Sequence, residues 1–359
     1  MKHIVLTGGG TAGHVTPNIA LIPRLSDLGY QISYIGSLDG IERKLIEELN
    51  IPYYGIESGK LRRYFDWKNF SDPFRVLKGY VQARKLLKKL KPDLVFSKGG
   101  FVTVPVVIAA KHQHIPAIIH ESDMTPGLAN KLAIPSAVKV CCNFPETVEH
   151  LPAEKAVLTG SPIRQELLRG NAEKAMAFCG FSTRKPVILV MGGSLGAASV
   201  NENIRRILPS LLPDFHVIHL CGKDKLDASL KQTEGYVQFE YIKDELADLF
   251  AISDLIISRA GANAICEILA LQKPNLLIPL PARASRGDQI LNARSFERQK
   301  FSIVLEEDNI TEKTLLSAIR KLHSHRDTYI DSMKQSNLMD SITRITNLFE
   351  EITSSHKEL

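Results

Sequence analysis

The chain has 359 residues, 44% of them hydrophobic, which suffices for two ordinary cores and points to two domains. Its five cysteines contain no C-x-x-C pair, which leaves zinc and disulfide readings without support and fits a reducing, cytoplasmic setting. The formal charge is +6, but Lys60 to Lys91 alone holds eleven basic residues against Asp66 and Asp72, so that stretch carries +9 and the remainder −3; such a patch suits an anionic partner, lipid or nucleic acid.

In chain order, the strand-like run HIVLT begins after two residues and leaves no room for a signal peptide, so export is not expected. A helix follows from about Asn18 to Leu28, then the strand QISYIG, a helix near Glu42 to Leu49, and the strands DLVFS, AIIHE and VKVCC. This alternation predicts a parallel sheet with crossover helices. At TGSPIR (159–164) the pattern pauses, and after PVILVMGGSLGA it restarts with VNENIRRILPSLL, FHVIHLCG, VQFEYI, DLIIS and PNLLIPLP. The chain reads as α/β, with two doubly wound parallel-sheet domains. Even the longest apolar runs, such as 104–110, fall short of the ~20 residues that cross a bilayer.

Each domain opens with a strand, a Gly-Gly turn and a helix, and in open sheets ligands sit at the carboxyl ends of the strands. Two such domains facing across a cleft would each bind one substrate. Gly8, Gly10 and Gly13 of TGGGTAGH satisfy G-x-G-x-x-G, but a nicotinamide fold needs an acid at the end of the second strand, and the nearest, Asp39, lies beyond it. Without that acid, a glycine loop offers backbone N–H groups and a helix dipole to phosphate or to developing negative charge. His14, at the mouth of the loop, is placed as a general base, with an ordinary pKa near ~6.5. The plainer alternative is that the glycines serve packing and His14 caps the turn. FSKGGFVTVP and IISRAGANAICEILAL repeat the theme. In the second, Gly261 to Asn263 start a helix suited to a diphosphate, and Glu267 could accept both hydroxyls of a ribose.

Eight motifs occur in one order: TGGGTAGHVTPN, SGKLRR, FSKGGFVTVP, IIHESDMTPGLANK, TGSPIR, MGGSLGA followed by Asn201, ISRAGANAICE and RGDQILNA. This series resembles the MurG family of peptidoglycan glycosyltransferases, over roughly Met1 to Glu306. The resemblance implies a GT-B fold of two Rossmann-like domains: 1–162 binding acceptor and membrane, 163–340 binding UDP-GlcNAc, and a C-terminal helix at 341–359 packing back on the first. It implies inverting transfer of N-acetylglucosamine from UDP-GlcNAc to the C4 hydroxyl of MurNAc in lipid I, giving lipid II, at the cytoplasmic face of the bacterial cell membrane. It implies no cofactor and no metal: helix N-termini and basic side chains stabilise the departing UDP, and there is no D-x-D motif.

Carried over position by position, the resemblance makes His14 the first choice of base, with Glu121 or Asp123 the alternative. For the donor, Glu267 corresponds to the ribose acceptor, the backbone of Ile242 to the uracil contact, and Ser194 with the amides of its turn to the α-phosphate site, with Asn201 also assigned to donor binding. Arg259, Gly261 and Asn263 lie nearby; Asp288, Gln289 and Asn292 correspond to the region reading the sugar. Thr11, Gly13 and Arg164 are assigned to the pyrophosphate from the first domain, and Gly10, Gly100, Phe101, His120 and Asn130 to the acceptor. The chain departs from the family's common form at Asp123, Asp288, Phe101 and Ser161.

The basic stretch carries Trp67, Phe70, Phe74, Leu77 and Tyr80 at spacings of three or four, with Lys68, Arg75 and Lys78 between them. An amphipathic surface of this kind suits an anionic bilayer, at about 1 kcal/mol per basic residue near it. Nucleic acid is not expected, because no nucleic-acid motif accompanies the charge. Two other function classes stay in view: a different UDP-GlcNAc enzyme of the same fold, such as an epimerase, and a non-catalytic basic adaptor.

Overall fold

The computed structural model describes residues 1–59, 72–193, 196–284, 287–336, 338 and 340–356. The chain divides into two compact units, Met1–Arg164 with Asp340–Leu359, and Gln165–Met339. Trp67, Phe70 and Ser194 lie outside the described residues.

The first unit runs β1 (His3–Thr7), α1 (Thr16–Asp27), β2 (Gln31–Ser37), α2 (Ile41–Glu47), β3 (Tyr53–Ile56), α3 (Asp72–Leu90), β4 (Leu94–Ser97), α4 (Thr103–His112), β5 (Ala117–Glu121), α5 (Leu128–Ala133), β6 (Lys139–Cys142), α6 (Pro145–Val148) and β7 (Ala156–Leu158). Its seven strands lie in the order β3-β2-β1-β4-β5-β6-β7, all parallel; Val5 of β1 pairs with Ser33 on one side and Val95 on the other. β1, β4 and β5 are buried along their whole length, as expected for a sheet covered on both faces. α2 stops before Leu49, earlier than the apolar pattern predicts, because Asn50 turns the chain at φ 56° ahead of Pro52.

The second unit continues α7 (Ala172–Cys179), β8 (Val187–Met191), α8 (Ala198–Leu211), β9 (His216–Leu220), β10 (Tyr236–Phe239), α9 (Leu246–Ile252), β11 (Leu255–Ser258), α10 (Ala262–Ala270), β12 (Asn275–Leu277), α11 (Asp288–Arg298), β13 (Ser302–Val304), α12 (Glu312–Ser324) and α13 (Arg326–Lys334). Its sheet is also parallel, in the order β10-β9-β8-β11-β12-β13. The amphipathic face of α8 (Val200, Ile204, Ile207, Leu211) and that of α12 (Leu315, Ile319, Leu322) join the strand side chains in one core.

The last helix, α14 (Ser341–Ser355), belongs to the first unit. Its buried stripe of Ile345, Leu348 and Phe349 enters the core beneath β1 and β4, with the Phe349 ring 5.1 Å from that of Phe96. Ser341 Oγ donates to the Ser161 carbonyl at 2.6 Å, and Lys2 pairs with Glu350 at 2.6 Å.

Both sheets reverse their strand order between the first strand and the fourth, and ligands in open α/β sheets bind at such a point. The four glycine-bearing turns follow β1, β4, β8 and β11, so each pair flanks its sheet's reversal. The paired turns of the first unit also touch: the Gly9 N–H donates to the Gly99 carbonyl at 3.3 Å. Gly100 is fixed there by two constraints, a φ of +92° and the absence of room for a Cβ against the Gly9 carbonyl.

Candidate active site

His14 ends a single 3₁₀ turn, Ala12–His14, between the first glycine loop and α1. Its Nδ1 lies 3.2 Å from the Gly9 carbonyl and 3.2 Å from Thr11 Oγ1. A carbonyl only accepts, so Nδ1 carries the hydrogen and Nε2 the lone pair. Burial first, and then the Lys98 ammonium, push the imidazole's pKa down to about 4, so the ring is neutral at physiological pH. His14, Gly9, Gly10, Thr11, Gly100 and Phe101 line a cavity of about 680 Å³ together with Asp39, Glu57, Ser58 and Arg75.

The glycine loop itself is less open to phosphate than its sequence suggests. The Gly9 amide is taken by Gly99, and the Gly10 amide donates to Glu42 Oε2 at 3.2 Å. Glu42 is wholly buried and also accepts from Ser37 N (3.0 Å) and Ser37 Oγ (2.5 Å), while Tyr34 donates to the Gly8 carbonyl at 2.9 Å. These two amides therefore hold the loop's shape.

Glu121 ends β5 and is buried. Its carboxylate accepts from Asp123 N (2.9 Å), Gly127 N (2.9 Å) and Asn130 Nδ2 (2.8 Å). Burial raises its pKa above the usual carboxylate range, with these three donors acting the other way. Engaged by three donors, it ties down the ESDMTPG turn, whereas the Asp123 side chain is only half-buried. Asn130 Oδ1 has no partner among the described residues. A Cβ added to Gly99 would stand 3.5 Å from that oxygen and 3.5 Å from His14 Cδ2, so both groups look onto the same spot. His120 is wholly buried, with Nε2 donating to the Gly160 carbonyl at 2.9 Å and Nδ1 2.7 Å from Lys98 Nζ. Its contribution runs through those partners, since no face of the ring reaches the surface. Arg164 is half-buried at the end of the first unit.

In the second unit, Gly261 caps α10 in an extended conformation and, as a glycine, brings no side chain to the first turn. Asn263 and Glu267 are half-buried on the same helix, Asp288 and Gln289 open α11, and Gln289 Oε1 accepts from Leu280 N at 3.1 Å. Ile242 is buried beside the exposed Tyr241. Three residues placed at the donor from sequence are turned inward. Asn201 donates to the Cys221 carbonyl (2.9 Å) and accepts from His219 Nε2 (3.0 Å), which fastens the start of α8 to the end of β9. Asn292 is buried and donates to the Ala260 carbonyl at 3.3 Å. Arg259 reaches the carbonyls of Ile278 (3.1 Å) and Pro279 (3.2 Å) and pairs with Glu307 at 2.5 Å. As placed, these side chains hold up the loops around the site. Lys98, Glu42 and His219 went unnoticed in the sequence; the only signal was a charged or polar residue at the end of an apolar strand or opening a helix.

Two family models match, the glycosyltransferase family 28 N-terminal domain over residues 4–142 and the family 28 C-terminal domain over 187–348. A protein of Lachnospira eligens named UDP-N-acetylglucosamine--N-acetylmuramyl-(pentapeptide) pyrophosphoryl-undecaprenol N-acetylglucosamine transferase is 66% identical over 98% of this chain and 99% of its own. A Clostridium botulinum protein of the same name is 58% identical over 98% of this chain and 100% of its own. Among solved structures, Acinetobacter baumannii MurG superposes with a TM-score of 0.79 at 27% identity, covering 98% of this chain and 100% of that one. A UDP-GlcNAc 2-epimerase from Methanocaldococcus jannaschii gives 0.68 at 14% identity, covering 98% and 100%, a likeness of fold alone. The two parallel sheets are those of a GT-B fold, and the chain belongs to glycosyltransferase family 28.

Proposed function

We propose that the protein is the transferase that moves N-acetylglucosamine from UDP-GlcNAc to lipid I, making lipid II for peptidoglycan. The observation that carries this is the 66% identity, end to end, with a relative whose name states that transfer. An epimerase reading has only the shared fold behind it.

The finer chemistry follows from the site. The C4 hydroxyl of the acceptor's MurNAc loses its proton to His14 Nε2 as its oxygen attacks the anomeric carbon, and the bond to UDP breaks on the opposite face, inverting the centre. His14 suits this because its Nδ1–H is held by Gly9, which leaves Nε2 as the basic nitrogen of a ring that lines the cavity. Charge developing on UDP is met by the N-terminus of α10 without a metal. Glu267 takes the ribose hydroxyls. Lipid I presents its sugar at the membrane's cytoplasmic face, where α3 offers a docking surface; among the described residues no helix is long and apolar enough to cross a membrane.

The test is a transfer assay with labelled UDP-GlcNAc and a lipid I analogue in detergent, with and without EDTA, beside a control lacking acceptor. Label in lipid II at equal rates with and without EDTA is the expected result. Turnover of UDP-GlcNAc without acceptor would replace the transferase with an epimerase-type reaction, and loss of transfer in EDTA would remove the metal-free mechanism.

A further inference from the structure

One buried cation has no part in the chemistry described so far. Lys98 directly follows β4, opening the Lys-Gly-Gly turn, and is only 1% exposed. A buried ammonium needs specific partners, because losing water disfavours its charge. Lys98 Nζ donates to His120 Nδ1 at 2.7 Å and to Ser122 Oγ. His120 can accept there because its other nitrogen, Nε2, donates its hydrogen to the Gly160 carbonyl. The ammonium is thus held at the carboxyl edge of the sheet by His120 of β5 and Ser122 of the turn after it, with His120 itself held by Gly160 after β7. Gly99, the next residue, is the one that looks onto both His14 and Asn130.

We propose that Lys98 is a positioning residue of the transfer reaction: its fixed positive charge offsets the negative diphosphate of the acceptor bound by the first unit, so that the His14 ring stays free to take the acceptor's proton. The inference rests on His14 being the base. The acceptor's diphosphate brings negative charge to the first unit's site, and nearby negative charge raises a histidine's pKa. Burial is the larger influence on His14, and without the Lys98 charge beside it a larger share of the ring would be protonated in the substrate complex. The charged groups acting on His14 are Lys98, which lowers its pKa, and Glu42 from α2, which raises it; Asp39 after β2, Glu57 after β3 and Arg75 on α3 line the same cavity. Of these, Lys98 is the cation that is held immobile.

The experiment compares Lys98→Met and Lys98→Arg with the parent protein in two readouts. The first is the pH dependence of kcat with saturating UDP-GlcNAc and lipid I analogue, which reports the base in the substrate complex. In Lys98→Met its acid limb should move up by about one pH unit or more, with activity recovering at high pH, and Lys98→Arg should restore most of the parent profile. The second is an NMR titration of the His14 ring in the free protein, which needs no turnover; its midpoint should rise in Lys98→Met. Circular dichroism and UDP-GlcNAc affinity verify that each variant is folded. A profile lowered uniformly at all pH values, or an unmoved His14 midpoint, would overturn the proposal and leave Lys98 a structural role. A parent protein without transfer activity would defeat the functional reading, while the His14 titration would still decide the coupling.

Discussion

At the residue scale, the two assignments that carry most weight make separable predictions. His14→Ala should lower kcat by about 10² or more with little change in UDP-GlcNAc affinity, because a general base acts in the transition state and not in donor binding. Near-normal turnover at saturating substrates would move the role to Asp123, whose carboxylate is less enclosed than that of Glu121. Because His14 stays neutral down to about pH 4 in the free protein, kcat/KM of the parent should remain level from pH 8 to about pH 5. Glu267→Ala should weaken UDP-GlcNAc binding by roughly 10- to 100-fold in calorimetry, the worth of a charged hydrogen-bond pair, while leaving any vesicle association intact. Unchanged donor affinity would remove the ribose assignment.

Among the helices, α3 leaves an apolar row exposed to solvent. Phe74 and Leu77 on it are 76% and 60% exposed, at the i, i+3 spacing that puts them on one face, with Val81 one turn further on. Such a row exposed at helical spacing invites an apolar environment. Lys78 is partly occupied by Glu57 at 3.0 Å, so the apolar side chains should matter more than its charge. Phe74→Ser with Leu77→Ser should therefore reduce cosedimentation with anionic vesicles several-fold and leave soluble donor binding unchanged; undiminished cosedimentation would place docking elsewhere. The strand–turn–helix units were legible because period and glycine placement are local: TGGGTAGH and RAGANA announce turns whatever surrounds them. The inward roles of Asn201, Arg259 and Asn292 were not. Their residue types suit a ligand, and only the pairing of β8 with β9 and of β11 with β12 supplies the carbonyls that claim them. Lys98 was hidden for the same reason, since its partners lie 22 and 24 residues away, on the neighbouring strand β5 and in the turn after it.

For the whole molecule, the histidines set a pH limit on stability. His14 and His120 in the first unit and His219 in the second are held neutral, His14 down to about pH 4 and His219 to about 3, with burial the leading cause in each. An unfolded chain would protonate them near ~6.5. Below that pH the unfolded state binds more protons than the folded one, so stability must fall as pH drops, and His14 and His219 each cost roughly 2 kcal/mol by pH 5, with His120 acting in the same direction. Glu121 works in the opposite direction: its folded pKa lies above the ordinary value, so the folded state binds the extra proton and gains stability as pH falls toward 4.5. Three histidines against one carboxyl leave a net loss. Urea unfolding followed by circular dichroism should show midpoints that fall steadily from pH 7.5 to pH 5, and His219→Gln should flatten the fall, because Gln keeps a hydrogen-bonding amide near Asn201 and Tyr236 but has no proton to gain. A midpoint that stays level to pH 5 would mean the rings protonate inside the fold, and the neutral His14 on which the transfer mechanism depends would be lost with them.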